Sequence, residues 1–172
     1  LDKIVAIKVL HQHLAGDERL AKRFHREARA ASRLNHPNSL QIIDFGAAGD
    51  GTLYIAMELL KGRDLGAVIK EEFPFALSRL VHITTQALSA LEEAHAANII
   101  HRDLKPENIV LVSMRGDPDF VKVCDFGIAK IQDAKGDDSN AAITVAGIVC
   151  GTPEYMSPEQ ARGEPLDARS DI

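Results

Sequence analysis

The hydrophobic pattern changes its period once, near Lys61-Gly62, and this change constrains the fold more than any other feature of the chain. Before it, short β-branched runs flank one helical stretch; after it, helical period dominates. Residues Lys3 to Leu10 carry Ile4, Val5, Ile7 and Val9 around a single lysine, Lys8, and read as a strand. From Asp17, a capping residue, to Leu34, apolar side chains recur at Leu20, Phe24, Ala28, Ala31 and Leu34, which is helical spacing. His36-Pro37-Asn38 ends that helix, and strand-like runs follow over 40–45 and 52–59, separated by the turn signal Asp50-Gly51. Past Gly62 the pattern predicts a short helix over 64–70 and a long one over 76–97. Leu77, Leu80, Thr84, Ala87, Leu91 and Ala94 would share one face of the long helix. Residues 109–112 and 120–124 read as a hairpin across Gly116-Asp117-Pro118, and 132–142 as an aperiodic loop.

Composition narrows the function classes. With 45% hydrophobic and 26% charged residues in 172, the chain is expected to fold as an ordinary soluble domain. A net charge of −5 argues against a nucleic-acid partner, which selects a basic excess. Cys124 and Cys150 lack the spacing of a disulfide framework or a zinc site, and His11 and His13 flank Gln12 with nothing to complete a metal set. The unpaired cysteines suit a cytoplasmic location, and no apolar run nears the roughly 20 residues that span a bilayer, so no membrane contact is expected from this segment, with an anchor left open for a longer parent chain.

Four short strings carry the chemistry: Val5-Ala6-Ile7-Lys8, then His101-Arg102-Asp103-Leu104-Lys105-Pro106-Glu107-Asn108, then Asp125-Phe126-Gly127, then Ser157-Pro158-Glu159. Each alone is weak, but in this order and spacing they resemble the protein-kinase signature set. Lys105 and Gly151-Thr152-Pro153-Glu154-Tyr155 resemble the serine/threonine branch, in a style similar to its bacterial members. The resemblance implies an α+β, two-lobed protein-kinase-like fold: an incomplete small sheet-rich lobe over 1–60 and an incomplete helical large lobe over 61–172. The glycine-rich phosphate loop would precede Leu1, and Asp171 would open a central helix beyond Ile172. Both ends therefore read as cut, and the long helix near Leu80 and Leu91 is expected to lack cover, at roughly 1.5–3 kcal/mol per exposed large side chain.

What the resemblance implies can be followed residue by residue. Lys8, on the residues alone a strand-edge lysine, becomes the phosphate-binding lysine, with Glu27 on the following helix as its partner carboxylate. Asp103 accepts or orients the substrate hydroxyl proton, supported by Lys105. Asn108 and Asp125 hold Mg²⁺, with Mn²⁺ as an alternative. Met57, Glu58 and Leu60 form a hinge that reads adenine through main-chain groups, between Ala6 and Leu111, each of which reads equally well as core. Arg102, Arg23 and Lys130 would form a basic pocket for a phosphorylated activation segment, with Thr144 as the first site and Ser139 as a weaker one. Thr152, otherwise a plain loop hydroxyl, would bond Asp103 and Lys105. Arg19, Lys22, Arg26 and Arg33 read with Arg23 as a basic stripe on a solvated helix face. The expected partners are ATP, protein substrates bearing Ser or Thr, and a second copy for trans-autophosphorylation. The competing expectation is a non-catalytic kinase-like scaffold; the presence of Lys8, Asp103, Asn108 and Asp125 argues for the enzyme.

Overall fold

A computed structural model describes residues 4–10, 18–126 and 152–172. The first sheet holds β1 (Val5–Val9), β2 (Ile42–Ala47) and β3 (Leu53–Glu58) in the antiparallel order β1-β3-β2. Its central strand is buried on both faces, which is why Leu53, Ile55, Ala56 and Met57 form a nearly unbroken apolar run. Register places Val5 opposite Glu58 and Lys8 opposite Ile55. Across the β2–β3 connection Gly51 takes φ 83°, and the Thr52 N–H donates to Asp50 Oδ1 at 2.9 Å, so the expected turn forms where Asp-Gly predicts it. Helix α1 (Glu18–Ala31) packs Phe24 and Ala28 into a core with Leu10, Leu53, Ile55 and Met57.

The second sheet is antiparallel in the order β4 (Gly62–Asp64), β5 (Ile109–Met114), β6 (Asp117–Val123). Three residues are too few to show a period, so the sequence pattern does not reveal β4. Gly62 is required there, because any Cβ would run into the Leu111 carbonyl and the Val110 and Val112 side chains. Asp64 caps helix α2 (Leu65–Glu72), its carboxylate accepting from the Ala67 N–H at 2.8 Å.

Helix α3 (Leu77–Ala96) lies against β6, and its buried stripe is Ile83, Ala87, Ala90, Leu91 and Ala94. Of the predicted face, Ala87 and Ala94 are buried; Leu80, expected to lack cover, is 50% exposed, and Leu77 at 74% and Thr84 are exposed as well. Leu91, expected to lack cover beside Leu80, is buried in the core that Val121, Val123 and Leu111 build with α3. Ala87, Ala90 and Ala94 let the helix approach the sheet closely, and Leu80, which shares the face of Ile83 and Ala87, lies where the cover over that face ends.

The two sheets meet through the connection after α1. The Val123 N–H donates to Asn38 O at 2.7 Å, and the Leu40 N–H donates to Val123 O at 2.9 Å. Asn38 Nδ2 reaches Val121 O and Gln86 Oε1 at 2.8 and 2.9 Å, pinning the same segment to β6 and α3. The short helix α4 (Pro158–Arg162), capped by Ser157 and ended by Gly163 at φ 74°, and a 3-10 turn over Ala168–Asp171 close the described chain. No helix among the described residues is long and apolar enough to cross a membrane.

Candidate active site

The loop after α3 is held by buried polar bonds. His101 is fully buried; its Nε2–H donates to Cys124 O at 2.7 Å, and its Nδ1 accepts from the Asp103 N–H at 3.4 Å. These partners fix the tautomer, and burial lowers the imidazole pKa, so the ring stays neutral. Asp171 reaches the loop from the far end of the chain. Its Oδ2 accepts from the His101 N–H at 2.7 Å and faces His95 Nε2 at 2.8 Å, while Oδ1 accepts from the Arg102 N–H at 2.8 Å. Gln160 Nε2 donates to Arg102 O at 2.6 Å. Arg102 can hold φ 71°, a costly value for a side chain of this size, because its backbone is clamped from both sides.

Asp103, Lys105, Asn108 and Thr152 form one bonded cluster. Asn108 Nδ2 donates to Asp103 O at 2.7 Å and to Asp103 Oδ2 at 3.1 Å. Lys105 Nζ sits 2.9 Å from Asp103 Oδ2 and donates to Thr152 Oγ1 at 2.9 Å. Thr152 thus meets its predicted partner Lys105; its link to Asp103 runs through that lysine instead of a direct bond. The Cys124 N–H donates to Asn108 O at 2.8 Å, which brings Asp125 beside the cluster. Asp125 takes φ 64°, the second strained non-glycine position next to the cleft.

Lys8 crosses from the first sheet to Asp125, Nζ to Oδ2 2.8 Å. This corrects the expected partner. Glu27 is turned inward, with its side chain only 19% exposed, yet it pairs with Arg26 at 3.3 Å. The roll of α1 is set by Phe24 and Ala28 in the core, and the flexible lysine stem delivers its charge to the carboxylate across the cleft.

At the hinge, Met57 is buried and Glu58 ends β3, followed by exposed Leu59 and half-buried Leu60. Ala6 lies opposite Met57 in the register and packs at the edge of the smaller core. Leu111 requires correction: it points with Val121 into the large core and is 6% exposed. Val110, one residue earlier on the opposite face of β5, pairs with Lys122, whose Nζ reaches Glu58. A one-residue offset on a strand reverses the face, so Val110 and not Leu111 shares the face from which Lys122 reaches Glu58. Burial, reinforced by the Asp125 and Glu58 carboxylates, pushes the Cys124 thiol up to about 12. Cys124 therefore remains a protonated packing group.

Arg23 is half-buried on α1. Arg102 Nε is buried with no hydrogen-bond partner among the described residues. Lys130, Thr144 and Ser139, together with His11, His13, Gly127 and Cys150, lie outside the described residues. Sequence reasoning missed Lys122, Gln160 and the bonding role of Asp171. Only Lys122 carries a local signal, a charged side chain inside the apolar run Val121 to Cys124.

The donor set suits a hard divalent cation. Asn108 spends its Nδ2 on Asp103, so its amide oxygen is the atom available to a metal, and Asp125 offers a carboxylate that is 32% exposed. Two protein oxygens fit a cation that takes its remaining ligands from phosphate and water.

Comparison with known proteins agrees with this geometry. The model of the protein kinase domain family matches residues 1–172. The chain is 60% identical over its full length to "Serine/threonine-protein kinase pkn3" of Myxococcus xanthus, of which it covers 31%. It is 44% identical over 171 residues to "Probable serine/threonine-protein kinase PknB" of Corynebacterium glutamicum, covering 98% of this chain and 25% of that one. The crystal structure of the Mycobacterium tuberculosis PknI kinase domain superposes with a TM-score of 0.71 at 32% identity, over 99% of this chain and 59% of that one. The chain thus spans about a third or less of the curated relatives it matches. Family members use ATP and a divalent metal, which fits the lysine and the paired oxygen donors. From end to end, this chain belongs to the protein kinase domain family.

Proposed function

We propose that this chain is the catalytic part of a serine/threonine protein kinase, transferring the γ-phosphate of ATP to Ser or Thr hydroxyls of proteins, with residues 1–60 and 61–172 contributing to its two lobes. The carrying observation is the continuous chain of contacts from Lys8 through Asp125 and Asn108 to Asp103, Lys105 and Thr152. Phosphoryl transfer needs positioning and charge neutralisation more than covalent help, and this set supplies both. ATP bound with Mg²⁺, held by Asp125 and the Asn108 amide oxygen, supplies the transferable group. Lys8, released from Asp125, neutralises phosphate charge. Asp103 uses Oδ2 for its contacts with Asn108 and Lys105, which orients Oδ1 to accept the substrate hydroxyl proton. Lys105 offsets negative charge beside that hydroxyl, and Thr152 fixes its reach. Adenine is read by main-chain groups at Glu58 and Leu60, between Ala6 and Val110. The orphan Nε of Arg102 supports a phosphate-binding role, together with Arg23 and Lys130, for a modified Thr144. The reaction would take place in the cytoplasm, with a second copy as one substrate.

The test is transfer of label from γ-labelled ATP with Mg²⁺ to a generic basic protein and to the chain itself, beside Asp125→Asn. Transfer abolished by that change supports the reading. Transfer that persists unchanged in Asp125→Asn refutes it.

A further inference from the structure

We propose that Lys122 is a positioning residue for the adenine end of the nucleotide, holding the hinge strand in the one place from which its backbone reads the base. This rests on the nucleotide-site reading above. Lys122 sits between buried Val121 and Val123 and is itself 7% exposed. A lysine that deep is kept only with partners. Its Nζ donates to Glu58 Oε1 at 2.8 Å and to Ser39 O at 3.3 Å. Glu58 is in turn locked to Gln41: Oε1 accepts from the Gln41 N–H at 2.9 Å, and the Glu58 N–H donates to Gln41 O at 3.0 Å. One ammonium therefore ties together the end of β3, the connection after α1, and the strand that three residues later delivers Asp125.

Buried ion pairs add little net stability over apolar residues of the same size. The retention of this one points to what it positions. Main-chain recognition has no side-chain selectivity; discrimination comes from where the backbone groups stand. Adenine offers an amino donor and a ring-nitrogen acceptor on the edge where guanine offers a carbonyl acceptor and a ring N–H donor. A fixed hinge accepts the first pattern and opposes the second, whereas a hinge free to shift loses the distinction.

The experiment compares Lys122→Met, Lys122→Arg and the double variant Lys122→Met with Glu58→Leu against the unaltered full chain. It reads KM and kcat for ATP and for GTP on a basic protein, Kd for a ribose-labelled fluorescent ATP, and amide exchange over 57–60 without nucleotide. In Lys122→Met and in the double variant, KM and Kd for ATP should rise about tenfold with kcat within about twofold, and the preference for ATP over GTP should narrow by a similar factor. Amides 57–60 should exchange faster, and Lys122→Arg, which can donate to both oxygens, should restore the original values. Should Lys122→Met not fold, the double variant carries the test, since it removes both charges together and leaves the Glu58 N–H bonded to Gln41 O. Unchanged ATP affinity and unchanged ATP preference in the variants overturn the role, as does a fall in kcat equal to the loss in kcat/KM. An unaltered chain that neither binds ATP nor transfers phosphate overturns the nucleotide reading and this role with it; one that binds ATP as well as its variants do overturns this role alone.

Discussion

The lysine strand and the catalytic loop face the same cleft, but they are held in opposite ways. Among the described residues strand β1 bonds only to β3, and its lysine is placed by one ion pair across the cleft. The loop from His101 to Asn108 is gripped by Asp171 at two backbone amides, by Gln160 at a carbonyl, and by His101 and Asn108 from within. On the proposed function the lysine needs reach, since its partner would change from carboxylate to phosphate, and the aspartate needs a fixed direction, since proton transfer tolerates little misplacement.

Three substitutions or conditions would break or sharpen that contrast. The largest effect belongs to Asp103→Asn, which keeps the shape of the loop and removes the proton acceptor. Transfer should fall about 10²–10⁴-fold with ATP affinity unchanged, and a loss of affinity in its place would mean that Asp103 serves nucleotide binding. Next comes Asp171→Asn, far from the reacting atoms. An amide NH₂ at the Oδ2 position would face the His101 N–H and His95, leaving donors opposed, at a cost of about 2–4 kcal/mol read from denaturant midpoints. A stability matching the unaltered chain would show that the loop is not held as described. The smallest effect is the pH dependence from His101. Its pKa is lowered in the folded state, so the unfolded chain binds the extra proton first as pH falls. Stability should be full above the unfolded value near 6.5 and decline below it, by at most about 1.4 kcal/mol per pH unit. His101→Gln should flatten that slope between pH 7 and 5; an identical slope would assign it to other groups.

Much of this was legible in the residues. Helix α3 was predicted within one residue at each end, and Lys8, Asp103, Asn108 and Asp125, far apart in the chain, do converge. The misses share one cause, that periodicity reports which face is apolar but not what lies opposite. Leu111 and Val110 are both apolar, and only the pairing with Val121 and Lys122 separates core from cleft. Leu80 shares a helix face with Ala87 and Leu91, but the period does not say how far along that face the cover extends. Glu27 did turn inward, and its charge found Arg26 because pairing depends on three-dimensional reach that a helical wheel cannot show. Gln160 and Asp171 act on backbone atoms, which leave no mark in the spacing of side chains.

The ion pair between Lys8 and Asp125 joins residues 117 positions apart, whereas the Asn108–Asp103 bonds close over five. Loop closure becomes costlier with separation and has to precede the contact that rewards it. The Asn108–Asp103 bonds can form locally, whereas the Asp171 clamp on the loop and the Lys8–Asp125 pair both wait on long-range closure. Both the grip on the loop and the reach of the lysine therefore belong to the assembled chain, and neither can be carried by a single segment of it.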